Sequence, residues 1–175
     1  RDLAERVSAA LSAGASAVLL REPVLHAALV QPGVLLHGRT PGAVGLAEEV
    51  GCGLHLPAWM DAAPLRSRIR GTLSQSCHDA AALERAAAAG CDFAFLSPVF
   101  PPGSKPDDAR PILGLDGLAA LCASAPLPVV ALGGITPARA AACVAAGAFG
   151  VACIGAIFGS GDVAAATREM RLCVG

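Results

Sequence analysis

Charge is scarce in this sequence: Asp, Glu, Lys and Arg make up 15% of the 175 residues, and the formal net charge is −1. The isoelectric point lies near 6.5. That balance leaves no basic field for a nucleic acid, so none is expected as a partner. One small phosphate stays within reach, because a few local donors suffice for it. No two of the seven cysteines are spaced Cys-x-x-Cys, and their number is odd. Cys52, Cys91, Cys143 and Cys153 sit beside Gly or Ala in apolar runs. They read as free thiols of a reducing compartment rather than as a disulfide framework. No run approaches the roughly 18 uninterrupted apolar residues of a spanning helix, so no membrane partner is expected. Arg1-Asp2-Leu3 already reads as helix, so neither a signal peptide nor a non-cytoplasmic location is expected. No His/Cys/Asp spacing is strong enough for a zinc site, and no metal ligand is assigned.

What is present is apolar and repetitive. Hydrophobic residues reach 54%, which is too apolar for a disordered chain. The length suits one domain, residues 1–175. Near-continuous apolar runs at Ala17–Leu20, Val34–His37, Gly53–Leu56, Thr72–Ser76, Phe93–Leu96, Val129–Leu132 and Val151–Ile154 read as buried parallel strands. Between them, "AERVSAALSAG", "TPGAVGLAEEVG", "HDAAALERAAAAG", "GLDGLAALCASA" and "TPARAAACVAAG" read as helices. Thr40-Pro41 and Thr136-Pro137 place a capping hydroxyl before a first-turn proline. Gly14, Gly51, Gly90 and Gly147 suit left-handed helix ends.

Repeated strand–helix units point to a (β/α)8 TIM barrel rather than an open flavodoxin-like sheet, whose phosphate loop comes early in the chain. Here the glycine signals come late. The chain is short for a barrel, which takes about 200 residues even when compact. No strand precedes Asp2, and Glu22 to Gly33 leaves room for only a very short helix. The expectation is a barrel lacking its first strand within this sequence.

Gly133-Gly134 and Gly155-Ala156 each follow a late strand and precede a helix start. Free N–H groups and missing Cβ atoms at such turns suit a phosphate cup; tight turning alone is the other use. Polar residues stand at other strand ends. Arg21 and Arg39 suit a second phosphate or a loop salt bridge. His37 suits a proton-transfer role or a satisfied strand end. His55 suits a structural hydrogen bond at least as well as catalysis. His78 fits either catalysis or a helix cap, and Ser74, Ser76 and Ser97 lie nearby. The long "SPVFPPGSKPDDARPILG" loop brings Ser104 and Lys105, an ammonium that suits a phosphate or plain solvent exposure. Asp107 and Asp108 read as solvated loop charges.

These residues resemble the thiamine-phosphate synthase/TenI superfamily from Leu3 to Phe158. The resemblance rests on "LLRE", "GLHLP", "SQSCHD", "DFAFLSPVFPPGSKP", "ALGGIT" and "GAFGVACIGAIF" in that order. It implies a (β/α)8 fold, often dimeric. In synthases it implies joining of a pyrimidine diphosphate to thiazole phosphate, with magnesium and release of diphosphate. Carried over, Gly134 and Gly155-Ala156 cradle the thiazole phosphate, Arg21 and Lys105 serve the diphosphate, and Ser76 lies near the transferring group. Ser104 and Pro102 stand where synthases usually show threonines.

The departures tilt the expectation toward the TenI branch. Synthases carry Asn-Asp where this chain has His37-Gly38, and "HLGQ" where it has His55-Leu56-Pro57-Ala58. The magnesium–diphosphate half-site therefore reads as dismantled. The expected function is a TenI-like protein of thiamine biosynthesis that binds thiazole phosphate, with thiazole tautomerase as its reaction and no cofactor. The family's tautomerase histidine falls on Pro98, which leaves His37 or His78 to act as base. The alternatives are a thiamine-phosphate synthase using Mg2+, and a non-catalytic thiazole- or thiamine-phosphate-binding protein. A homodimer fits all three.

Overall fold

Short runs of Val, Leu, Ala and Phe form strands here because helices or neighbouring side chains cover both faces. The computed structural model describes residues 2–24, 27–101 and 110–175. Seven strands appear among them: β1 (Val18–Leu20), β2 (Val34–His37), β3 (Gly53–Leu56), β4 (Leu73–Cys77), β5 (Phe93–Leu96), β6 (Val129–Leu132) and β7 (Gly150–Ala152). The helices are α1 (Leu3–Ser12), α2 (Ala43–Val50), α3 (Ala80–Ala88), α4 (Gly114–Ser124), α5 (Pro137–Ala145), α6 (Gly155–Phe158) and α7 (Val163–Leu172). Every neighbouring strand pair is parallel, in the order β1 to β7. The result is a curled seven-stranded half-barrel whose hydrogen-bonded order ends at β1 and β7. Seven strands answer the seven expected ones, and the described residues form an open, curled sheet rather than a closed eight-stranded barrel.

The register sorts side chains onto two faces. Leu36, Leu54 and Leu73 stand in one row, and Leu56 precedes Gln75 and Ala94 in the next. The leucines of these rows are fully buried and pack on Val7, Ala10, Ala43, Ala47, Leu83, Ala86 and Ala140 of the helices. Each such leucine contributes about 1.5–3 kcal/mol by leaving water. Alanine on the helix side lets the helices sit close. The other parity, His37–His55–Ser74–Phe93 and then Ser76–Phe95–Val130–Gly150, lines the concave face.

Gly14, Gly51, Gly90 and Gly147 all have positive φ at helix ends, as expected. The short crossover after β1 holds a 3-10 turn at Ala27–Leu29. Two capping expectations change. Thr136 occupies the N-cap of α5 but makes no side-chain cap bond. Thr40 is not the cap of α2, which begins at Ala43 after Gly42; its hydroxyl donates instead to the Glu22 carbonyl at 2.9 Å, tying the β1 and β2 loops. Helix α7 lies beyond the expected elements. Asp162 caps it by accepting from the Ala165 N–H, and Val163, Thr167 and Met170 face inward.

The amino ends of β4 and β5 are held by a polar knot. One Asp92 carboxylate oxygen accepts from the Leu73 N–H at 2.7 Å and from Arg66 at 2.9 Å. Arg66 also donates to the carbonyls of Gly71 and Ile69. The opposite, carboxyl ends are then free for loops.

Candidate active site

Parallel register brings distant polar residues into one row on the concave face. His55 lies opposite Ser74, with Ser76 two residues further along the same side. Its Nδ1 is 2.9 Å from the Ser74 hydroxyl and its Nε2 is 2.9 Å from the Ser76 hydroxyl. At 2% exposure it is buried, and it packs edge-on against Phe95, with ring centroids 4.8 Å apart. Burial, then the nearby His37 and Arg21, push its pKa down to about 3. His55 is therefore a neutral ring that holds two serines.

His37 closes β2 and sits edge-on to His55 at 5.3 Å. Its Nδ1 accepts the Arg39 N–H at 3.1 Å, which leaves the ring proton on Nε2. Burial, then the charges of Arg21 and Arg39, lower its pKa to about 4. Gly38 follows His37 directly. Its missing side chain makes room for neighbours: a Cβ there would lie 3.0 Å from Leu56 Cδ2 and 3.3 Å from Met60 Sδ. Met60 is fixed in turn, because Gln75 donates to its carbonyl at 2.6 Å.

His78 lies in a different cluster. Its Nδ1 meets the Ser97 carbonyl at 2.6 Å, and Arg110 Nη1 lies 2.9 Å from its Nε2. It does not cap α3; Asp79 does, accepting from the Ala82 N–H at 2.7 Å. His37 and His78 are thus not brought together. Arg110 had no signal in the sequence beyond lying at the end of a long loop.

The glycine turns follow the paired strands β6 and β7 at the carboxyl edge. Gly133 and Gly134 have φ of +100° and +62°, the left-handed region that favours glycine. A Cβ on Gly134 would lie 2.6 Å from the Pro101 carbonyl oxygen and 2.8 Å from Phe100 Cβ, so the turn is packed under the β5–α4 loop. Arg139 adds a contact that the sequence did not signal. It donates to the Gly134 carbonyl at 2.8 Å and lies over the Phe100 ring, 4.7 Å from its centre. Around Gly155 nothing lies within 4 Å of a Cβ position. The N–H groups of Gly134, Gly155 and Ala156 bond to no described residue. Ser104, Lys105 and Pro102 lie outside the described residues.

Magnesium needs hard oxygen ligands, commonly one or two carboxylates besides substrate phosphates. Gly38 brings none, and Asp61, the carboxylate after β3, spends an oxygen on the Ala63 N–H at 3.1 Å. No group of three His, Cys, Asp or Glu residues converges among the described residues. The described side chains here do not fit a protein-held magnesium ion. A cavity of about 780 Å³ lies elsewhere, between α1 and the α6–α7 loop. Arg6 fills part of it, bonding the Phe158 carbonyl and lying over the Phe158 ring. No strand-end side chain reaches it, so the site is better sought at the carboxyl edge.

Fold and site together define an α/β protein of the βα-barrel type with a polar row on its concave face and two glycine turns at the carboxyl ends of its last strands. The chain belongs to the thiamine monophosphate synthase family, whose model matches residues 42–157. It is 37% identical over 186 residues to a thiamine-phosphate synthase of Moorella thermoacetica, covering 98% of this chain and 88% of that relative. A thiamine-phosphate synthase of Methanoculleus marisnigri is 52% identical over 99 residues, 57% of this chain and 46% of the relative. A solved thiamine phosphate pyrophosphorylase of Pyrococcus furiosus superposes with a TM-score of 0.85 at 28% identity, covering 99% of this chain and 90% of that one.

Proposed function

We propose that the protein is a thiamine-phosphate synthase, joining a pyrimidine diphosphate to thiazole phosphate and releasing diphosphate. The observation that carries this reading is the similarity along 98% of the chain to a relative of that name. It favours the synthase over the tautomerase that the sequence departures suggested.

The imidazoles support the same choice. A tautomerase must remove a proton from carbon, so it needs a base with a free lone pair. His55 has both nitrogens bonded to serines, His37 has its lone pair filled by the Arg39 N–H, and His78 lies between Ser97 and Arg110. In the synthase reaction the thiazole nitrogen lone pair forms the new C–N bond while the C–O bond to diphosphate breaks. No proton has to be taken. In this reading the N–H groups of Gly133, Gly134, Gly155 and Ala156 hold the thiazole phosphate with Ser104 and Lys105. Arg21 and Arg39 face the diphosphate, and Ser76, fixed by His55, lies beside the transferring carbon.

The test is incubation of the protein with the pyrimidine diphosphate and thiazole phosphate, following thiamine phosphate by chromatography. Turnover of about 1 s⁻¹ or more is expected. Isomerisation of thiazole carboxylate phosphate without condensation would restore the tautomerase. Tight phosphate binding with neither reaction would leave a binding protein.

A further inference from the structure

We infer that the rim formed by the ends of β1 and β2 binds a diphosphate group through guanidinium and imidazole donors alone, without a divalent cation. The choice of diphosphate as ligand rests on the synthase reading. The manner of binding rests on the rim itself.

Arg21 lies one residue beyond the Leu20–Leu36 pair, which puts it opposite His37 on the concave parity. Arg39 follows His37 by two residues. Both arginines are exposed, and neither guanidinium bonds or pairs with a described residue. Both charges act on His37. That imidazole is 6% exposed, its Nδ1 is filled, and its Nε2 has no partner among the described residues. Among the described residues no buried side-chain nitrogen is left unbonded, so Nε2 is reached by solvent. The rim thus presents two guanidinium forks and one N–H, all donors. Such a set complements phosphate oxygens.

The place where a carboxylate would hold a cation is filled by packing. Leu56 and Met60 crowd the Cβ position of Gly38, and Gln75 holds Met60 there. Asp61 is committed to its own turn. Two positive side chains replace a metal as the counter-charge.

Titration calorimetry of the whole chain with inorganic diphosphate, in EDTA and then in magnesium, tests this. The expected result is equal affinity in both, or weaker binding with magnesium, which competes for the same oxygens. Arg21→Gln and Arg39→Gln should each weaken binding about tenfold or more. Binding seen only with magnesium, no binding in either buffer, or an Arg39→Gln variant with parent affinity would overturn the inference. The wild-type comparison decides even if a variant misfolds. Thiamine phosphate formed only with magnesium, with magnesium-dependent diphosphate binding, would sink the inference and keep the synthase. Metal-free binding without condensation would do the reverse.

Discussion

Burial holds His55 and His37 neutral, helped by Arg21 at both rings and by Arg39 at His37, and this has a consequence for stability. Their folded pKa values, about 3 and about 4, lie below the ordinary imidazole value of about 6.5. Between those limits the unfolded chain binds protons that the folded chain refuses. Stability is therefore full above pH ~6.5 and falls as the pH drops toward 4 and then 3. Urea midpoints measured from pH 7 to pH 4 should decline. A His55→Gln variant should start lower, having lost its fit to the two serines, yet decline less steeply. Equal slopes for parent and variant would show that His55 does not titrate as described. The same residue explains a limit of sequence reading. A histidine between two leucines tells nothing about which hydroxyls it meets, because Ser74 and Ser76 lie 19 and 21 residues away.

At the scale of elements, the two glycine turns that look alike in sequence differ in what surrounds them. Gly134 combines positive φ with the Pro101 oxygen and Phe100 Cβ at its back. Gly134→Ala should cost about 1–3 kcal/mol from backbone strain alone, with the clash added. Gly155 has open space and an ordinary φ. Gly155→Ala should leave stability within about 0.5 kcal/mol while weakening affinity for inorganic phosphate. Thermal unfolding and phosphate titration of both variants separate the cases. Similar destabilisation by both, or unaltered phosphate binding in Gly155→Ala, would mean that neither turn was read correctly. The positions of both turns were legible because glycine after an apolar run is local information. The burial of one under Phe100 and Arg139 was not.

For the whole molecule, the half-barrel divides its labour between two edges. The amino edge carries the Arg66–Asp92 knot, and the carboxyl edge carries Arg21, Arg39, the serines and the glycine turns. Asp92→Ala should lower stability by about 1–3 kcal/mol, because the Leu73 N–H and Arg66 lose their shared acceptor. Diphosphate affinity should stay within about twofold, since an amino-edge change leaves the carboxyl-edge donors in place. Denaturation and calorimetry on the same preparation check both parts; a large affinity loss in a folded variant would show that the edges are coupled.

The alternation of strands and helices was readable from the sequence alone, because apolar runs, helix-ending glycines and alanine-rich stretches act over a few residues. Strands at Val34–His37, Gly53–Leu56, Phe93–Leu96 and Val129–Leu132 coincide with their expected bounds. So were the markers of the family. Tertiary structure alone decided what the polar side chains touch. Gly38 yields its space to Leu56 and Met60, Thr40 holds Glu22 rather than a helix, and His78 faces Arg110 across 32 residues. The physical reason is register. In a parallel sheet, neighbours on one face come from segments joined by a whole helix, and their pairing exists only once the strands are aligned and curled.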